Sequence, residues 1–146
     1  HFGGFWVPEY LRTFCDLNGR TPRPDEQRLV MGAQFAQEEQ AVAQATQAGN
    51  AYVFCDTSPL LTGIYSDFYF DSAHALHGRY ALSLVLRPDL PWQPDGLQRD
   101  SAAVRAVIHT RILQELQRWR YPHIEVAGFA ADRLQAAILA VETLTC

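Results

Sequence analysis

YVFCDTSPLLTGIYSDFY, from Tyr52 to Tyr69, is the stretch whose reading decides the fold. Its opening run, Tyr52 to Cys55, is aromatic, β-branched and apolar, the composition of a buried strand. Asp56 ends the run. Thr57, Ser58 and Pro59 follow, and Ser or Thr beside Pro starts a helix, since proline is tolerated in the first turn. Asp56 is therefore expected at the carboxyl end of a strand, just ahead of a helix N-terminus. In open α/β sheets ligands bind at that edge. A carboxylate there can hold Mg2+ or accept a proton from a substrate hydroxyl. The plainer alternative is that Asp56 only caps the helix; strand-end position supports both readings.

Composition bounds what surrounds this stretch. The 146 residues are enough for one domain with a real core. An apolar fraction of 48% marks a folded, globular chain. A net charge of −4 leaves no basic footprint and so gives nucleic-acid binding no support. No apolar run approaches membrane-spanning length, and the first residues do not read as a signal peptide. Cys15, Cys55 and Cys146 have no metal-ligand spacing, and an odd count does not make a disulfide framework. The reducing cytoplasm is the expected compartment, with Cys55 a small buried hydrophobe. All 12 basic residues are arginine. No lysine in this chain can neutralise a nucleotide phosphate.

Outward from the central stretch, Phe5 to Val7 reads as a short strand. Pro8 to Phe14 reads as a helix, with Pro8 near its first position and Glu9 in its first turn. Glu9 and Arg12 are neighbours on one helical face, either a surface ion pair or a pair aimed at a ligand. A long helix is expected from Asp25 to Gln47, with Leu29, Val30, Ala33, Phe35, Ala36, Val42 and Ala45 inward. Its many Gln and Glu form the expected solvated face, and Gly49-Asn50 stops it. After the central strand, Leu61, Ile64, Tyr65, Phe68 and Tyr69 make a helical stripe that reads first as core. Tyr80 to Leu86 is a second apolar strand. Arg87 to Ser101, RPDLPWQPDGLQRDS, breaks the pattern and reads as a mobile loop over the carboxyl edge of the sheet. A helix from Ala102 to Trp119, a strand at His123 to Val126 and a helix from Ala130 to Leu144, with Leu134, Ala137, Ile138 and Val141 inward, complete the chain. The order is β-α-α-β-α-β-loop-α-β-α, that of a three-layer α/β/α sandwich on a parallel sheet.

Several of these blocks, in this order, resemble one family. They are VPEYLR at Val7 to Arg12, CDTSPLLTGIYSDFYF at Cys55 to Phe70, SLVLRPDLPWQPDGLQRD at Ser83 to Asp100 with Arg105 beyond it, and HIEVAG with DRL near the end. Together they are similar to the NadR-like ATPase/kinase family of NAD salvage, whose type member is a ribosylnicotinamide kinase domain. The resemblance implies a P-loop nucleoside-kinase-like fold with parallel strand order 2-3-1-4-5. It implies transfer of the ATP γ-phosphate to nicotinamide riboside or a similar nucleoside, with Mg2+.

Carried over by residue, the resemblance makes Asp56 the strand-end aspartate, catalytic or metal-holding. Glu9, Tyr10 and Arg12 take the substrate side, with Thr57 beside them. Trp92, Asp95, Gly96, Arg99 and Arg105 belong to a lid that closes on ATP, with Arg99 or Arg105 the arginine that touches phosphate. Trp6, Tyr10, Tyr65 and Trp92 are the rings that could stack on the base. The family also needs a first strand, a G-x-x-x-x-G-K-[ST] loop and a helix. The chain lacks that motif, so it is expected to be a domain missing roughly its first 25 residues, the size of part of a βαβ unit. A different reading is a non-catalytic nucleotide- or ligand-binding module; a third is an interaction domain without a nucleotide site.

Overall fold

The computed structural model describes residues 1–71, 80–91 and 101–144. The chain divides into two compact units, His1–His77 and Gly78–Cys146. Each contains a pair of parallel strands joined through helices. The element order is the one the sequence implied, and the fold is of the mixed α/β class with short parallel sheets.

The first unit runs β1 (Phe5–Val7), α1 (Tyr10–Asn18), a 3-10 turn (Pro24–Glu26), α2 (Gln27–Gln47), β2 (Val53–Cys55) and α3 (Pro59–Phe70). β1 and β2 pair in parallel, with Trp6 opposite Phe54 and Val7 opposite Cys55. Side chains alternate across a strand, so Val7 is buried while Trp6 is 68% exposed. The backbone at Gly4 runs so close to β2 that a Cβ there would meet Tyr52 Cβ at 2.8 Å and the Tyr52 carbonyl oxygen at 2.9 Å. Gly19 closes α1 in the left-handed region, its N–H donating to the Cys15 carbonyl at 2.8 Å. The turn into α2 is then held by Arg20. Its guanidinium donates to both carboxylate oxygens of Glu26, at 2.6 and 2.7 Å.

Two expectations fail here for one reason. The glutamines and glutamates of α2 do not all face water: Gln27, Gln34 and Glu38 are buried, whereas Leu29, Phe35 and Val42 are exposed. The buried positions Gln27, Val30, Met31, Gln34, Glu38, Ala41 and Ala45 keep the spacing of three and four that defines one helical face. Position on that face decided burial, and residue type did not. Likewise α3 buries mainly small residues, Pro59, Thr62, Gly63, Ile64 and Ser66, where it packs on α2. Its aromatic stripe lies beside that contact. Tyr65 stacks on Tyr69 with ring centres 6.3 Å apart, and Tyr69 is itself exposed.

The second unit runs β3 (Ser83–Leu86), α4 (Ala102–Arg118), β4 (His123–Val126) and α5 (Ala130–Glu142). β3 and β4 are parallel, Ser83 opposite His123 through Leu86 opposite Val126. Val85, Ile108, Leu116, Val126, Ala140 and Val141 form the core of this unit. Leu134, expected inward, is 63% exposed. Ser101 caps α4, accepting from the Val104 amide at 3.3 Å. The expected β3 start at Tyr80 moves to Ser83. Of the expected lid, Trp92, Asp95, Gly96 and Arg99 lie outside the described residues.

Candidate functional site at the carboxyl end of the first strand pair

The β1–β2 ladder continues one residue past β2, where the Asp56 amide donates to the Val7 carbonyl at 2.8 Å. That bond fixes Asp56 at the carboxyl end of both strands. Ser58, not Asp56, caps α3: its Oγ accepts from the Leu61 amide at 3.4 Å, with Pro59 in the first position. The Asp56 carboxylate is exposed and makes no hydrogen bond among the described residues. Capping therefore does not occupy it.

Thr57, the next residue, sits at φ 71°. A β-branched residue in the left-handed region costs about 1–3 kcal/mol, and such strain collects at functional sites. The Thr57 hydroxyl donates to Glu9 Oε1 at 3.1 Å. Glu9 is the N-cap residue of α1, so Pro8 and Glu9 lie before the first turn and not within it as expected. The Glu9 side chain makes no capping bond; besides meeting Thr57, it comes within 3.9 Å of the Arg12 guanidinium. That pair is long and Arg12 is 57% exposed, so it adds little to stability. The structure thus gathers Glu9, Arg12, Asp56 and Thr57 at one strand end. Tyr10 enters through its backbone: its amide donates to Gln34 Oε1 at 2.8 Å.

Gln34 and Glu38 were not singled out from sequence. Gln34 Nε2 donates to Glu38 Oε1 at 3.1 Å, which leaves both ends of this buried amide satisfied. Their place in phase with Val30, Met31, Ala41 and Ala45 was the available signal. Glu38 also bears on Cys55. Burial, and then the Glu38 charge, pushes the Cys55 thiol up to about 12. Cys55 is half-buried and remains a neutral thiol, so it is no nucleophile at neutral pH.

The carboxyl end of β3 and β4 is built differently. Asp89 accepts from the Gly128 amide at 2.9 Å and pairs with Arg133. These two donors, the amide first, lower its pKa. Arg133 also donates to the carbonyls of Gly128 and Arg87, at 3.0 and 3.3 Å. Glu125 Oε2 meets both Arg87 Nε and His109 Nε2 at 3.1 Å. Arg105, expected to touch phosphate, donates to the carbonyls of Pro88 and Leu90 at 3.1 and 2.8 Å. Its Nε is buried and has no partner among the described residues. Here the arginines hold the segment after β3.

No group of three or more His, Cys, Asp and Glu side chains among the described residues could hold a metal alone. Asp56 nonetheless fits Mg2+, which takes one or two carboxylates and completes its shell with water and phosphate oxygens. The residues present do not fit the triphosphate of ATP. The chain has neither lysine nor a Gly-rich lysine loop to cradle its phosphates.

Parallel strand pairs with polar side chains at their carboxyl ends define an α/β domain of the kind that binds ligands at that edge. More specifically, the AAA domain family matches residues 1–133, and the chain belongs to that family. No curated protein and no solved structure matches it. Among the described residues no helix is long and apolar enough to cross a membrane.

Proposed function

We propose that this chain belongs to an ATP- and Mg2+-dependent small-molecule kinase domain that phosphorylates nicotinamide riboside or a similar nucleoside. The observation that carries the reading is the exposed Asp56 carboxylate at the carboxyl end of β1 and β2, left over because Ser58 caps α3. In this role Asp56 accepts the proton of the substrate hydroxyl or holds the metal. Glu9, Arg12 and Thr57 bind the sugar side of the substrate, the edge where an acidic and a hydroxyl group recognise hydroxyls. Tyr65 is the nearest in sequence of the rings able to stack on a base.

The family fold assigns the phosphate cradle to a Gly-rich lysine loop, a motif absent from the 146 residues. The observed pairings, β1 with β2 and β3 with β4, match the 2-3 and 4-5 neighbours of the strand order that the resemblance implies. Arg105 would then anchor the base of the lid through Pro88 and Leu90.

The test is phosphorylation of nicotinamide riboside by the full-length natural protein with Mg-ATP. Turnover is expected, and its absence would overturn the reading. The absence of any lysine favours one other reading, a non-catalytic nucleotide-binding module. Stabilisation by ATP without transfer to any nucleoside would choose that module.

A further inference from the structure

Three hydrogen bonds, joined by neighbouring residues of the chain, lead from the core side of α2 to the strand-end site. Glu38 Oε1 accepts from Gln34 Nε2 at 3.1 Å. Gln34 Oε1 accepts from the Tyr10 amide at 2.8 Å. Tyr10 follows Glu9, and Glu9 Oε1 accepts from the Thr57 hydroxyl at 3.1 Å. Thr57 adjoins Asp56, whose amide is tied to the Val7 carbonyl.

Two features make Gln34 more than packing. It is 2% exposed on a 21-residue helix, at a place where an apolar residue would serve the core. It also satisfies the first amide of α1, one of the donors a helix leaves without an internal partner. N-cap side chains ordinarily turn back to the first-turn amides. The Glu9 side chain does not; it faces Thr57, which is held at a positive φ. With α1 anchored from α2, the start of α1 does not depend on Glu9, whose carboxylate is left at the strand end.

We infer that Gln34 is a positioning residue for substrate binding: by holding the Tyr10 amide it sets Glu9 against Thr57 and so fixes where the acceptor's sugar hydroxyls are held. The inference rests on the proposed kinase reading. It names a residue of α2 that touches no substrate itself and acts through Glu9 and Thr57.

The test uses the full-length natural protein with Mg-ATP and nicotinamide riboside. Gln34→Leu should raise KM for the nucleoside about tenfold while kcat changes less than about threefold, the pattern of lost ground-state binding. Exchange of the Tyr10 amide with solvent should quicken at least about tenfold, as expected for a freed helix-end donor. Thr57→Val removes the other side of the same contact and a direct substrate contact, so it should raise KM at least as much. The double variant should raise KM by less than the product of the two single effects, because Gln34 and Thr57 are coupled through Glu9.

Faster Tyr10 exchange with unchanged KM would reduce Gln34 to a helix anchor and overturn the inference. If Gln34→Leu does not fold, Gln34→Met, which also removes the acceptor of the Tyr10 amide but keeps the side-chain length, decides, and an unchanged KM overturns it. An inactive wild-type protein would instead remove the kinase reading, and this inference with it. An active wild type with variants that match it removes the inference alone.

Discussion

The two strand ends of this molecule carry similar residue types and use them in opposite ways. At the end of β3 and β4, Asp89 is taken up by the Gly128 amide and Arg133, and Glu125 by Arg87 and His109. Arg105 and Arg133 are taken up by backbone carbonyls. At the end of β1 and β2 the helix cap comes from Ser58 and the α1 amide is met by Gln34. That leaves Asp56 exposed and Thr57 strained. A charged group whose bonds are made within the fold stabilises it; one left unsatisfied at a strand end is available to a ligand. Charge alone does not mark a site, and the difference lies in which donors and acceptors are already occupied.

The comparison breaks most directly at Asp56. In the full-length protein Asp56→Asn should lower kcat by about 10²-fold or more, the scale of acid–base and positioning effects. Its melting temperature should stay within a degree or so, because the carboxylate makes no hydrogen bond among the described residues. Turnover like wild type would remove Asp56 from the site. The next largest effect is structural and belongs to the same sheet. Gly4→Ala should destabilise the first unit by about 1–3 kcal/mol, the usual cost of overpacking, because its Cβ meets backbone and Cβ atoms of Tyr52. Chemical denaturation checks it, and an unchanged midpoint would mean that β1 and β2 can separate freely.

At the other strand end the expectation reverses. Arg133→Leu should lower the melting temperature by a few degrees, since Asp89 and the carbonyls of Gly128 and Arg87 lose their donor. Nucleoside KM should hold. A large KM change with unchanged melting would make that end a binding site as well.

The smallest effect is the pH response of the turn before α2. Arg20, and then the Arg23 amide, lower the Glu26 pKa from 4.5 to about 2. The fold therefore favours ionised Glu26. Its contribution is complete above pH 4.5 and fades as the pH falls from there through about 2. Denaturation midpoints measured across that window should fall more steeply for wild type than for Glu26→Gln. Parallel curves would show that the Arg20 pair adds nothing.

By itself the sequence determined the order of elements, the helix start marked by Ser58-Pro59, and Asp56 at a strand end. These are local matters. Periodicity, turn chemistry and capping act over a few neighbouring residues, so a single stretch such as Tyr52 to Tyr69 carries them whole. The tertiary structure decided what the side chains do. Whether Asp56 caps a helix depended on Ser58 taking that place. Whether Arg105 faces a ligand or a carbonyl depended on the path of Pro88 and Leu90. Gln34 and Glu38 look like solvated filling in a Gln-rich helix until α1, α2 and β2 pack together, when the Tyr10 amide and Cys55 become their neighbours. Burial and hydrogen-bond pairing are properties of groups brought together from distant parts of the chain, and residue type at one position does not contain them.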